Sequence, residues 1–300
     1  MEMPNLDALT TFFGVLSFVI GAMVGSFLNV CVHRLPQGLS VVRPRSRCPK
    51  CENPIAWHDN IPILSWLILG AKCRNCGTPI SWQYPLVESL TAALFFLVYW
   101  KFGMTLASPV YMLLAASLVL VTFVDLTDWT IPNEVTFPGV PLGIGCAVMA
   151  MVYPESGLLL ARPLWSIVGV LIGGGLLYGL DLLSLAILKK RGMGFGDVKL
   201  MAMLGAFFGP WGVLLILVIA SFFGSAVGLT LILIGRAKDG AEDAGAALSE
   251  EGDEEDDVMT PGGHYLPFGP YIVLGGIIYL FFGPEIIERY MSYITVPGAI

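Results

Sequence analysis

Charge is what this chain has least of. Only 13% of its 300 residues are Asp, Glu, Lys or Arg, about half the roughly 25% that ordinary soluble domains carry. With 56% hydrophobic residues and a mean hydropathy of +0.77, the polar surface of a water-soluble globule is missing. The net charge of −7 is also unevenly held. Ten acidic residues against Arg236 and Lys238 put −8 between Ile234 and Pro261, which leaves the remainder near +1. That stretch, rich in Ala and Gly and without aromatics, reads as a disordered solvated loop over about 235–262. A basic n-region is absent too. Only acidic residues precede the first apolar run, so it reads as a span and not as a cleaved signal peptide. Membrane lipid is an expected partner and nucleic acid is not.

Long apolar runs are what the chain has instead. A transmembrane helix needs about 20 mostly apolar residues, and such runs occupy 10–32, 84–100, 107–127, 133–152, 164–188, 211–234 and 268–287. A shorter run at 198–209 ends at Gly209-Pro210 and is a short span or half of a broken helix. Counting it gives an all-α polytopic membrane protein of about eight transmembrane helices. Basic residues then orient it. Seven of the sixteen Lys and Arg lie from Arg34 to Arg74, and Lys189–Arg191 and Arg236 with Lys238 form two further clusters. With eight spans all three fall on one side, expected to be cytoplasmic, with both termini on the other. The resulting organisation is a first span (1–33), a cytoplasmic loop (34–83) and a membrane core (84–300).

The first loop carries Cys48, Cys51, Cys73 and Cys76, two C-x-x-C pairs separated by 21 residues. This is the spacing of a tetrahedral four-thiolate zinc site. Disulfides are disfavoured in a reducing cytoplasm, and no thioredoxin-like βαβ pattern accompanies the pairs. A closed four-thiolate site orders a loop and leaves no coordination position for chemistry. Cys31 and Cys146 lie within apolar spans and read as packing residues.

Ionisable residues within spans are costly and tend to be functional. The candidates are Glu88, Asp125, Asp128, Asp181 and Asp197. Asp125 and Asp128 stand in "VTFVDLTDWTIPNEV", where one span ends and the next begins; Asp197 follows the glycines of "RGMGFGDVKL". The topology puts both turns at the same depth on the cytoplasmic side, where two carboxylates can share one proton and act as acid and base on a peptide bond. Asp197 can also be a simple helix-capping residue, Asp125 a helix-end carboxylate and Asp181 a buried hydrogen-bonded one. Buried aspartates also suit a transporter or proton channel, and the cysteine loop suits a membrane scaffold. A channel, however, needs polar residues spread through mid-membrane, whereas these cluster at one face.

Six segments occur in an order that resembles the type IV prepilin peptidases: "GSFLNVCVHRLP", the paired C-x-x-C loop, "YPLVESLTA", "DLTDWTIPN", "GMGFGDVKL" and "LPFGPYIVLG". The resemblance implies a membrane aspartic peptidase of the G-x-G-D type, with Asp125 and Asp197 as its catalytic pair, Asp125 being preferred to Asp128. It implies cleavage of a short basic leader from type IV prepilins and type II secretion pseudopilins, after a glycine, on the cytoplasmic side of the bacterial inner membrane. With all four cysteines present it also implies methylation of the new N-terminus by S-adenosylmethionine. Lys72 and Glu88 match family positions near that second site. The acidic stretch 239–257 is outside the family's motifs, and Lys199 has no role assigned by any of these arguments.

Overall fold

The computed structural model describes residues 6–160, 162–189, 194–242 and 267–294. The helices are α1 (Leu6–Arg34), a short α2 (Leu64–Ile68), α3 (Gln83–Phe102), α4 (Ala107–Asp128), α5 (Asn133–Val152), α6 (Pro163–Leu188), α7 (Phe195–Glu242) and α8 (Gly269–Ile294). Pairing between extended segments is confined, among the described residues, to two isolated bridges in the cysteine loop. Among the described residues seven helices are long and apolar enough to cross a membrane, and the protein is a multi-pass membrane protein. Helices suit that setting because each satisfies its own backbone hydrogen bonds where no water is available.

Eight apolar segments were expected and seven long helices are found; α7 accounts for the difference. Its apolar part, Phe195–Leu231, has 37 residues and would measure about 55 Å if straight, far more than a hydrocarbon core of about 30 Å. It is not straight. Gly209 leaves the helical region at φ 71°, ψ −175°, a left-handed φ that glycine tolerates, and Pro210 follows. Contacts with α8 show the direction of each arm. Leu204 packs on Gly276, and the Phe208 carbonyl accepts the Tyr279 hydroxyl. Past the break, Gly212 meets Tyr279, Ile216 meets Gly275, and Gly224 meets Tyr271. The chain thus advances along α8 and then retraces it, so the run at 198–209 is a segment of its own.

The bundle has two distinct ends. At one, Gly269 at the start of α8 lies against Asp125 near the end of α4. At the other, Glu285 pairs with Lys101 at 3.0 Å. Sixteen residues of α8 separate these points, about 24 Å of helix. Lys101 therefore lies at the end of the bundle away from Asp125.

Small residues set the helix approaches. A methyl group at Gly21 or Gly25 of α1 would fall 2.8 or 2.7 Å from the Cα of Ala92 or Glu88 on α3, so these helices meet backbone to backbone. Gly169 of α6 and Gly205 of α7 meet in the same way. Such close contacts replace the hydrophobic drive that lipid cannot provide. One buried cluster joins α1, α3 and α4 around Val87, Phe95 and Val124; another joins α4, α7 and α8 around Leu118, Leu204 and Ile272. Phe12, Val19, Leu113, Leu171 and Val218 point outward, the apolar exterior of a lipid-embedded bundle. Cys31 is buried in the first cluster and Cys146 packs against the second, as expected of packing residues. α7 continues as helix to Glu242, into the stretch expected as loop from 235; residues 243–266, the greater part of the acidic stretch, lie outside the described residues.

Candidate active site

Asp125 sits in the last turn of α4, which stops because Trp129 turns to φ 56° and returns its N–H to the Asp125 carbonyl at 3.2 Å. Asp125 is 6% exposed and Asp197, in the first turn of α7, is 8% exposed. The two are near enough for the charge of one to act on the other. Ile131 forms their shared apolar wall: it contacts Gly196, beside Asp197, and faces Gly269, beside Asp125. Oδ2 of Asp125 is buried and has no hydrogen-bond partner among the described residues. An unsatisfied buried carboxylate oxygen is unusual and marks a place for a proton, a water or a substrate group. The helix N-terminus under Asp197 favours negative charge there.

Asp128 is exposed and accepts a hydrogen bond from Thr127 at 2.8 Å. Asp181 is half-buried on α6. Lys199 is explained by neither aspartate: its ammonium donates to Oδ1 of Asn133, the first residue of α5, and lies over the rings of Phe137 and Phe195. Of the basic run at 189–191, Lys190 and Arg191 lie outside the described residues, as do Gly192 and Met193 of the glycine motif.

The cysteine loop is two copies of one turn. Cys48 N–H bonds Asn53 O and Glu52 N–H bonds Cys48 O; 25 residues on, Cys73 N–H bonds Thr78 O and Gly77 N–H bonds Cys73 O. Bridges Arg47 with Pro54 and Lys72 with Pro79 repeat the offset. Glu52 and Gly77, at equivalent places, both have positive φ. The two turns bring four ligand sulfurs within 4.8 Å of one another, with Cys48 Sγ and Cys76 Sγ at 3.7 Å. Zn–S bonds of about 2.3 Å in a tetrahedron imply S–S edges of about 3.8 Å. The cluster can therefore hold a zinc ion. The Thr78 hydroxyl, 3.2 Å from Cys76 Sγ, draws that thiol down to about 6, toward the thiolate a metal requires. Arg74 binds both oxygens of Asp59, at 2.6 and 2.8 Å, and holds that carboxyl below its usual range while tying the second turn to the Trp57–Asn60 segment.

Glu88 and Lys72 are not alike. Glu88 is 7% exposed on α3, and its Oε2 accepts the Ile63 N–H at 2.7 Å. Ile63 has φ 64°, ψ −53°, a strained conformation for a β-branched residue. The partner of the Glu88 carboxylate is thus a backbone amide of the loop, not a basic side chain. Lys72 is exposed beside Cys73 and forms no ion pair among the described residues. Sequence reasoning missed the roles of Ile131, Gly269 and the Glu88–Ile63 bond. The only signals available were the "IPN" and "FGP" tripeptides, which name turns without saying what those turns touch.

The fold is a multi-pass helical bundle with two buried aspartates near one another at one end and a four-thiol cluster on the loop between α1 and α3. Residues 19–102 match the Bacterial Peptidase A24 N-terminal domain and residues 112–229 the Type IV leader peptidase family. A prepilin leader peptidase/N-methyltransferase of Myxococcus xanthus is 38% identical, covering 91% of each chain. Enzymes of the same name from Pseudomonas aeruginosa and Neisseria gonorrhoeae are 32% and 34% identical, over 97% and 83% of this chain and 99% and 92% of theirs. No solved structure matches it. The chain belongs to the type IV leader peptidase family.

Proposed function

We propose that this protein removes the basic leader from type IV prepilins and type II secretion pseudopilins and then methylates the exposed amine. The observation that carries the first activity is the burial of Asp125 and Asp197 together, with Oδ2 of Asp125 unsatisfied. One carboxylate takes a proton from water as the water oxygen attacks the scissile carbonyl carbon. The other, holding the shared proton, gives it to the carbonyl oxygen. Collapse of the tetrahedral intermediate breaks the C–N bond, and the departing amine takes up a proton. The pair acts as a unit, so acid and base are not assigned separately. A prepilin lying in the bilayer, its leader outside, would bring its cleavage site to this depth. A negative site attracts a positive leader.

The second activity is supported by the two-part match, in which the N-terminal part, 19–102, is separate from the peptidase part. When bound, S-adenosylmethionine supplies an electrophilic methyl group. A cavity of about 280 Å³ between the end of α1 and the loop has an apolar side formed by Met23, Phe27 and Val42 and a polar side with Ser26, Arg45 and Ser46, and Arg45 offers a cation for its carboxylate. Glu88 fixes the loop against α3 through Ile63, and exposed Lys72 is kept as a donor- or substrate-contacting residue. Zinc on Cys48, Cys51, Cys73 and Cys76 would order the loop. The orientation proposed is that of the basic loops, with the aspartate end in the cytoplasm and the bundle in the bacterial inner membrane, surrounded by lipid.

The test is direct. The purified protein is incubated with a prepilin and the product is sequenced from its N-terminus. Loss of the leader after a glycine by the wild type, and an intact leader with Asp125→Ala and with Asp197→Ala, is the expected result. Cleavage by both variants would refute the peptidase assignment.

A further inference from the structure

Asp125 and Asp197 lie on elements that the chain joins only through 71 intervening residues, so their alignment depends on contacts across the bundle. Along α5 and the first arm of α7 these contacts are apolar: Gly139 faces Met203 and Gly143 faces Ala206. Apolar contacts set how closely two helices approach, yet they leave rotation and sliding weakly specified. At the aspartate end the only polar tie observed between these two helices among the described residues is Lys199 to Asn133.

We propose that Lys199 is a positioning residue for the carboxylate pair: by binding Asn133 it locks the start of α5 to the first turn of α7. Asn133 follows Ile131 and Pro132, the wall beside Asp125, and Lys199 stands two residues after Asp197. The ammonium is held from both helices, by Asn133 and Phe137 of α5 and by Phe195 of α7, with each ring centroid 5.6 Å away. A cation between two aromatic faces and an amide oxygen has a defined place, and these attractions strengthen at a partly desolvated boundary. Lysine has the reach for this task. It forms no ion pair with Asp125 or Asp197 among the described residues, so its action is on geometry and not on their charge. Misplacing a catalytic group by about 1 Å can cost about a hundredfold in rate.

This inference rests on the peptidase reading, and the experiment separates the two. Leader cleavage is measured for the full-length protein in lipid nanodiscs, as wild type, Lys199→Met, Lys199→Arg, Asn133→Leu, Asn133→Asp and the double variant Lys199→Met/Asn133→Leu. Lys199→Met and Asn133→Leu should each lower kcat by about tenfold or more with KM within about twofold, the loss of one charge-assisted hydrogen bond. The double variant should be no worse than either single one, since both remove the same bond. Lys199→Arg and Asn133→Asp should each recover part of the loss. Thermal unfolding midpoints and zinc content identify any variant that fails to fold, and the Asn133 pair then carries the comparison alone. Wild-type kcat in Lys199→Met, a loss confined to KM, or additive losses in the double variant would overturn the proposal. A wild-type protein that cleaves no prepilin would instead overturn the peptidase reading.

Discussion

Gly269 lies so close to the Asp125 carboxyl that the first carbon of any side chain there would collide with Oδ2. The start of α8 is therefore a third wall of the site, although it follows Asp125 by more than 140 residues. Gly269→Ala should push either the carboxyl or α8 aside and lower leader cleavage by about a hundredfold. Methylation of an already cleaved pilin should be unchanged. A cleavage assay on the prepilin and a methylation assay on the cleaved pilin check this, and equal loss of both activities would indicate general misfolding instead.

Asp128 is only three residues from Asp125 and differs from it in every physical respect, being exposed and bonded to Thr127. Surface substitutions of this kind change free energies by about 0.5 kcal/mol or less. Asp128→Asn should accordingly keep leader cleavage within about twofold of the wild type. A larger loss in kcat would mean that Asp128, and not Asp125, faces the substrate.

Four cysteines in two repeated turns should bind one zinc ion per chain, measurable by elemental analysis of the purified protein. Cys48→Ser, or chelation, should abolish that stoichiometry and loosen residues 45–80, read by hydrogen exchange. Methylation should fall with it while leader cleavage continues. Loss of cleavage as well would show that the loop supports the carboxylate pair.

Glu88 gives a different test of the same loop. Glu88→Ala leaves the Ile63 N–H without its acceptor, and an unsatisfied donor costs about 1–3 kcal/mol. The positive φ of Ile63 adds to the pressure to relax. Faster hydrogen exchange across 61–69 and reduced methylation are expected, with Glu88→Gln intermediate because its amide oxygen still accepts. Unchanged exchange in Glu88→Ala would remove the anchoring role.

Much of this architecture is legible in the sequence because lipid imposes simple rules. Apolar runs mark α1, α3, α4, α5 and α6 to within about four residues, α8 begins as expected but continues past 287 to Ile294, and Gly209-Pro210 marks the reversal in α7. The cysteine cluster is legible because a tetrahedral site demands a local spacing. Asp125 and Asp197 could be placed at one depth by counting spans. What spacing does not contain is the lateral arrangement of helices, since every bundle topology with eight spans shares the same hydropathy. Gly269 against Asp125, Asn133 under Lys199 and Ile63 on Glu88 are contacts of that lateral kind. The Glu88–Ile63 bond escapes a sequence reading for a related reason: a strained backbone amide that seeks an acceptor leaves no trace in composition.

The central claim is that Asp125 and Asp197 work as one acid–base unit. Its most direct test is leader cleavage by Asp125→Asn and Asp197→Asn, which keep side-chain size and remove only the ability to exchange the shared proton. Each alone should abolish cleavage of a prepilin, with the double variant no worse, while both still methylate a pilin supplied without its leader. Cleavage at near wild-type rate by either variant would contradict the account.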